Sequence, residues 1–243
     1  MIHTADVILT MDPSLTVLVD GALRVSGNRI TAIGPAAALI AAHPDEEVTR
    51  HPNRLLMPGL INTHMHSGLL RGTAEHLPVW EWLRLHINPM HRVLTPEDAE
   101  AAAFLCHAEA VLSGTTTLVD MWRFMDGSAR AASAIGNRLV ATPYVGAHPD
   151  YAYFDSLEDN ERFIETWHGG AGGRVQAWVG LEHLFYCTEA NARRAVDLAL
   201  RHRTGIHTHA CEAESEVAEF RTRYGKGAIA VLDDLGFFAP HAA

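Results

Sequence analysis

The chain is poor in cysteine: Cys106, Cys187 and Cys211 are the only three among 243 residues, and none forms a CxxC pair. That count excludes a disulfide framework and a four-cysteine zinc ribbon, and it fits a reducing cytoplasm. Long apolar runs are also missing. No stretch approaches the ~18 residues of a membrane-crossing helix, and the opening MIHTADVILTMD lacks the basic region of a secretory leader. Basic residues are scarce. Lys+Arg number 19 against 29 Asp+Glu, a formal net charge of −10, and no basic cluster marks a nucleic-acid or anionic-membrane partner. Neither GxGxxG nor GxxxxGK[ST] occurs, so no phosphate-cradling loop of those types is present.

Histidine, by contrast, is abundant at 16 residues, and hydrophobic residues make up 48% of the chain, enough for a sizeable core. The organising stretch is LLMPGLINTHMHSG, residues 55–68. An apolar run with no solvent face leads through Pro58-Gly59 to His64 and His66, and reads as a strand of a parallel sheet or barrel buried on both faces. Side chains two apart on a strand share a face, so the two imidazoles point together. His-x-His there is either a pair of metal ligands or a hydrogen-bonded core pair, and the spacing alone leaves both open.

Residues 1–54 read as a small antiparallel meander. Short β-rich runs at 5–10, 15–19, 21–26 and 29–33 are punctuated by Asp12-Pro13, Asp20-Gly21 and Gly27-Asn28, and a helix is expected at 35–42. From residue 55 the pattern becomes strands alternating with helices. A long connection at 67–94 carries Arg71, Glu75, Trp80, Trp82, His86 and His91. Thr95-Pro96-Glu97-Asp98 starts a helix with an N-cap, Pro at the first position and acids in the first turn. Strands follow at 115–121, 138–145, 174–180 and 205–209, with helices between. Polar residues gather at the strand ends (His64/His66, Asp120, His183, His209/Glu212), which favours a barrel over a doubly wound sheet with one switch point. The fold class is α/β: an incomplete TIM-like (β/α)8 barrel of about five β/α units over 55–243, preceded by part of a small β-sandwich over 1–54.

Three neutral imidazoles from strand ends can hold a divalent metal and leave a position open for water, as catalytic sites do. Glu212, three residues after His209, is placed to take and return a proton; its bland alternative is a helix N-terminal charge. His207 reads as a hydrogen-bonded barrel residue, Asp120 as structural and Cys211 as facing outward. Trp80 and Trp82 read as packing, and Arg71 with Glu75 as a pocket pair or a surface salt bridge.

The strings MPGLINTHMHSGLLRGTAEHLPVWEWL, GTTTLVDM, GLEHLFYCT and GIHTHACEAESEV resemble the amidohydrolase superfamily, in its ring-deaminase and chlorohydrolase branch. The opening ADVILTMD…GALRVSGNRITAIG is similar to that family's small β-sandwich. The resemblance implies that His64, His66 and His209 hold one divalent metal, zinc first and iron as the alternative, and that Glu212 shuttles protons to a ring nitrogen. With no lysine between Val175 and His183, it implies a single ion. It assigns substrate contacts to Trp82, His91, His183 and Arg71. His91 stands where adenosine-type members carry a ribose-binding glutamate, and His183 is displaced by about one residue from the family's histidine. The branch also takes a histidine from strand six and an aspartate from strand eight. Residues 1–243 are therefore expected to be the N-terminal part of a longer enzyme and inactive alone. The expected reaction is hydrolytic deamination of an amino-substituted heterocycle, the alternatives being loss of chloride or alkylamine, amide hydrolysis, or an inactive half-barrel. The partner is a small heterocycle, neither nucleic acid nor membrane, in the cytoplasm, with homo-oligomerisation open.

Overall fold

A computed structural model describes residues 1–68, 72, 73 and 76–239. The chain divides into two compact units, Met1–Gly59 and Leu60–Ala243. In the first, β1 (Ile2–Leu9), β2 (Val17–Ser26) and β3 (Arg29–Pro35) precede a short helix α1 (Ala36–Ala42) and β4 (Val48–Leu56), in the sheet order β3-β2-β1-β4. The runs expected at 15–19 and 21–26 are one strand: Asp20, at φ +48°, bends β2 without ending it. The meander is also not wholly antiparallel, because β4 pairs with β1 in parallel. Pro52 and the basic side chains hide β4 in the sequence. The strand tolerates them by a bulge opposite Asp6, whose carboxylate accepts the Asn53 N–H at 3.1 Å.

The second unit is a succession of parallel strands. The strand expected to run from residue 55 to His66 is broken by Met57-Pro58-Gly59, so that β5 spans only Leu60–Met65. It is paired on one edge, with β6, and it is not buried on both faces: Leu60 and Ile61 are 51% and 64% exposed. The long connection is not a structureless loop. It contains α2 (Val79–Trp82), a π-helical turn (Leu83–Ile87) and α3 (Asn88–Val93). The helix α4 (Pro96–Leu112) opens with a reciprocal cap between Thr95 and Asp98, as its sequence predicts.

Then come β6 (Thr115–Trp122), α5 (Met125–Ile135), β7 (Arg138–Pro143), α6 (Leu157–Trp167), a short turn α7 (Gly170–Gly173), β8 (Val175–Ala177) and β9 (Val179–His183). A 3-10 turn, α8 (Glu189–His202), β10 (Ile206–His209), α9 (Glu214–Tyr224) and α10 (Ala228–Asp234) complete the order. Strands β5, β6, β7 and β8 lie side by side in chain order, and β9 pairs with β10. Trp178 interrupts one continuous strand: its N–H donates to Ala141 O of β7, while the Val179 N–H donates to Gly205 O beside β10. The order therefore never reverses, which is the wall of a (β/α) barrel and not a doubly wound sheet.

Leu118, Leu139, Val175, Val179 and Leu181 form the core with an alanine-rich layer from α4, α5 and α8. Small side chains let those helices lie close on the strands. The approach of β7 to β9 is closer still, since a Cβ on Gly180 would stand 1.8 Å from Pro143 O.

Candidate metal centre

The end of β5 and the end of β10 bring three imidazoles together. His209 Nε2 lies 3.2 Å from His64 Nε2 and 3.3 Å from His66 Nε2. One ring nitrogen of each of the three lies within 4.8 Å of the others, the group among the described residues that could hold a metal ion.

The opposite edge of each ring is already engaged. His66 Nδ1 donates to Met121 O at 2.6 Å and His209 Nδ1 donates to Glu182 O at 2.7 Å. His64 Nδ1 stands 2.9 Å from His207 Nε2. A carbonyl can only accept, so His66 and His209 carry their protons on Nδ1 and turn bare Nε2 lone pairs toward each other. His207 is thus an orienting partner, in keeping with its reading as a hydrogen-bonded residue.

Burial lowers the basicity of all four rings, with His66 and His207 each brought to about 4. The cluster is therefore neutral at pH 7, the form in which imidazole binds a metal. The turn after β5 is fixed from behind. Asp120, fully buried, accepts the Ser67 N–H at 2.9 Å and the Ser128 hydroxyl at 2.6 Å, and His107 Nε2 lies 3.1 Å from that hydroxyl.

Glu212 follows β10 in a loop held by one buried carboxylate. Glu216 accepts the N–H of Cys211 and the N–H of Glu212, each at 2.7 Å. Those bonds offset the cost of Cys211 at φ +63°, a conformation that a residue with a Cβ seldom adopts. His183 Nδ1 accepts the Phe185 N–H, which leaves the proton on Nε2, 3.2 Å from Glu216 Oε1. Desolvation raises the Glu212 carboxyl above its ordinary value, Glu216 adds to the lift, and His64 opposes it.

A small chamber of about 30 Å³ adjoins the imidazoles. Its floor includes His66, His209, Glu182 and Glu212, its side Trp122 and Tyr144, and its roof Val79, Trp82, Leu83 and Ile87. Trp82 lines it, with its indole N–H on Thr73 Oγ1 at 3.0 Å. His91 does not line it. That ring is 1% exposed behind the wall, stacked on Tyr144 and Tyr153 with centroids 4.8 and 4.9 Å away. His183 does not line it either; it holds the Glu212 loop through Glu216 and packs edge-on to Trp80. Arg71 and Glu75 lie outside the described residues. Glu182, Tyr144 and Trp122 were not singled out in the sequence. The available signal was the period of two on a strand, which turns Glu182 to the face opposite that of His183.

The sequence model described as the amidohydrolase family matches residues 55–240, and an imidazolonepropionase-like composite domain of bacteria matches residues 21–45. The chain is 34% identical to a 5'-deoxyadenosine deaminase of Methanosarcina mazei over 236 residues, 96% of this chain and 54% of that protein. It thus spans about half the length of the curated relatives it matches. A zinc-bound adenosine deaminase from Xanthomonas campestris superposes with a TM-score of 0.83 at 27% identity, over 97% of this chain and 55% of that one. A zinc complex of an atrazine chlorohydrolase from Arthrobacter aurescens superposes at 0.84 with 19% identity, over 97% and 58%, a likeness of fold alone. A family match that runs from the strand bearing His64 past the strand bearing His209 takes in the whole imidazole cluster, and the chain belongs to the amidohydrolase family.

Proposed function

We propose that the chain carries most of the active site of a zinc-dependent hydrolase that deaminates an amino-substituted heterocycle. The observation that carries this reading is the convergence of His64, His66 and His209 through their Nε2 atoms. Tetrahedral zinc with bonds of about 2.0–2.1 Å sets neighbouring ligand atoms roughly 3.3 Å apart, and the separations from His209 Nε2 are 3.2 and 3.3 Å. The bare Nε2 atoms of His66 and His209 face each other at 3.3 Å, and a cation between them satisfies both.

His64, His66 and His209 would hold the ion, which when bound acidifies water near neutral pH. In the net reaction the ring carbon exchanges its C–N bond for a C–O bond, and ammonia leaves. The protein's own part is proton management. Glu212, with its carboxyl raised by desolvation, keeps a proton at pH values where an exposed glutamate has lost it, and delivers it to a ring nitrogen beside the reacting carbon. Glu216 and His183 position Glu212 through the backbone. Trp82 and Trp122 present apolar faces to the ring.

Residues 1–54 are read as part of a β-sandwich and 55–243 as the first units of the hydrolase barrel. No helix among the described residues is long and apolar enough to cross a membrane, and a cytoplasmic enzyme is the reading that the scarce, unpaired cysteines support. The test is ammonia release from aminopurines, pterins, aminopyrimidines and aminotriazines, with chloride release from a chlorotriazine as the comparison. It is run on zinc-loaded residues 1–243 and on the longest chain that the reading frame encodes. Ammonia from the longer chain supports the reading; chloride alone, or neither product, contradicts it.

A further inference from the structure

Glu182 is a second carboxyl in the chamber, and the proton management described above does not use it. It lies on β9, every residue of which is buried, and is itself 4% exposed. Its backbone carbonyl accepts from His209 Nδ1, so its place relative to the imidazoles is fixed. Its side chain is fixed as well, because the Tyr144 hydroxyl donates to Oε1 at 3.1 Å. Oε2 has no hydrogen-bond partner among the described residues, although the atom is buried. A buried carboxyl oxygen left unpaired is costly, and natural proteins keep few of them without a purpose. Trp122 Nε1, in the same wall, is likewise buried and unpartnered.

We infer that Glu182 is a substrate-contacting, specificity-determining residue, whose Oε2 accepts a hydrogen bond from the N–H at the second ring nitrogen of a heterocycle in which the reacting carbon sits between two nitrogens. The inference rests on the functional reading above and narrows its substrate class. Glu182 on β9 and Glu212 in the loop after the adjacent β10 line the chamber together with His66 and His209. A ring presented to the imidazoles therefore meets two carboxyls. One nitrogen beside the reacting carbon takes the proton that Glu212 delivers. The other edge meets Glu182, where a ring N–H donates to Oε2 and a C–H leaves it unpaired. A site built to hydrogen-bond a polar group discriminates strongly against the analogue that lacks it. The favoured class is the 2-amino-4-oxo ring, which has an N–H on one side of the amino-bearing carbon and a bare nitrogen on the other. Adenine and cytosine, whose amino-bearing carbon has a ring carbon on one side, are disfavoured.

The experiment compares two isomers, isocytosine, with its amino carbon between two nitrogens, and cytosine, with it between a nitrogen and a carbon. Binding to the zinc-loaded protein is followed by tryptophan fluorescence, with zinc content measured in parallel. The wild type is expected to bind isocytosine at least about tenfold more tightly. Glu182→Leu brings the ratio to about one by weakening isocytosine alone, and Glu182→Gln, which keeps the Tyr144 contact, lowers it by about threefold or more, both with full zinc. A ratio unchanged in both variants, an equal loss for both isomers, or loss of zinc overturns the inference. Ammonia release with such an unchanged ratio leaves the deaminase reading standing and removes only Glu182's role. Failure of the zinc-loaded wild type to bind either isomer contradicts the inference and counts against the reading on which it rests.

Discussion

His64 and His209, 145 residues apart in sequence, meet Nε2 to Nε2 at 3.2 Å. Each turns its other nitrogen away, His64 to His207 and His209 to the backbone of Glu182. The two rings are nearly perpendicular, at 88°, so they are not stacked for packing. The contact makes sense as two ligands of one ion.

The partner behind His64 gives a first prediction. His207→Ala removes the group opposite His64 Nδ1 and frees the ring to rotate. Loss of such an orienting partner costs about 10–100-fold in metal affinity. A competition titration with a chelating dye is expected to show zinc binding weakened by that factor, with the fold kept by circular dichroism. Unchanged affinity would make His207 a bystander.

Glu212 makes no contact with His64, His66 or His209 among the hydrogen bonds of the cluster. Glu212→Gln should therefore leave zinc content at the wild-type value while deamination falls about 10²–10⁴-fold, the range for loss of a positioned general acid–base group. Loss of zinc in this variant would instead make Glu212 a ligand.

Gly180 gives a test of the fold that is independent of activity. A Cβ there would meet the Pro143 carbonyl at 1.8 Å, and a backbone oxygen within a strand cannot move aside as a side chain can. Gly180→Ala is expected to cost about 3 kcal/mol and lower the melting temperature by several degrees. Gly34→Ala, where nothing stands within 4 Å, serves as the tolerated control.

Asp155 supplies a pH dependence away from the imidazoles. Burial raises its carboxyl to about 7, against the pull of Arg123, while Tyr144 N–H donates to it at 3.2 Å. A folded-state value above the unfolded one means that the protonated acid is favoured by folding. Its contribution is complete below about pH 4 and is lost as the pH rises through about 7. Unfolding free energies from urea titrations are expected to fall over that window by roughly 2 kcal/mol from this group. Asp155→Asn flattens that component, and a variant with the wild-type pH profile would refute the assignment.

The strand–helix alternation, the Thr95 cap and the pairing of His64 with His66 were legible, because each depends on residues a few positions apart. What depends on distant partners was not. Met57-Pro58-Gly59 reads as part of an apolar run until β4 is seen to pair with β1. His91 reads as a pocket residue until Trp122, Tyr144 and Tyr153 close around it. His183 drew attention for its imidazole, yet the strand's alternation gives the chamber to Glu182. The helical segment over 79–93, with Pro78 and Pro89 inside or beside it, shows no steady periodicity, since its π turn shifts the repeat.

The most direct measurement is X-ray absorption at the zinc edge on the protein loaded with one equivalent of zinc, wild type beside His209→Ala. Three-imidazole ligation predicts nitrogen scatterers at about 2.0–2.1 Å with the outer-shell pattern of histidine, reduced by one ring in the variant. A spectrum without imidazole scattering, or one identical in wild type and His209→Ala, would contradict the account.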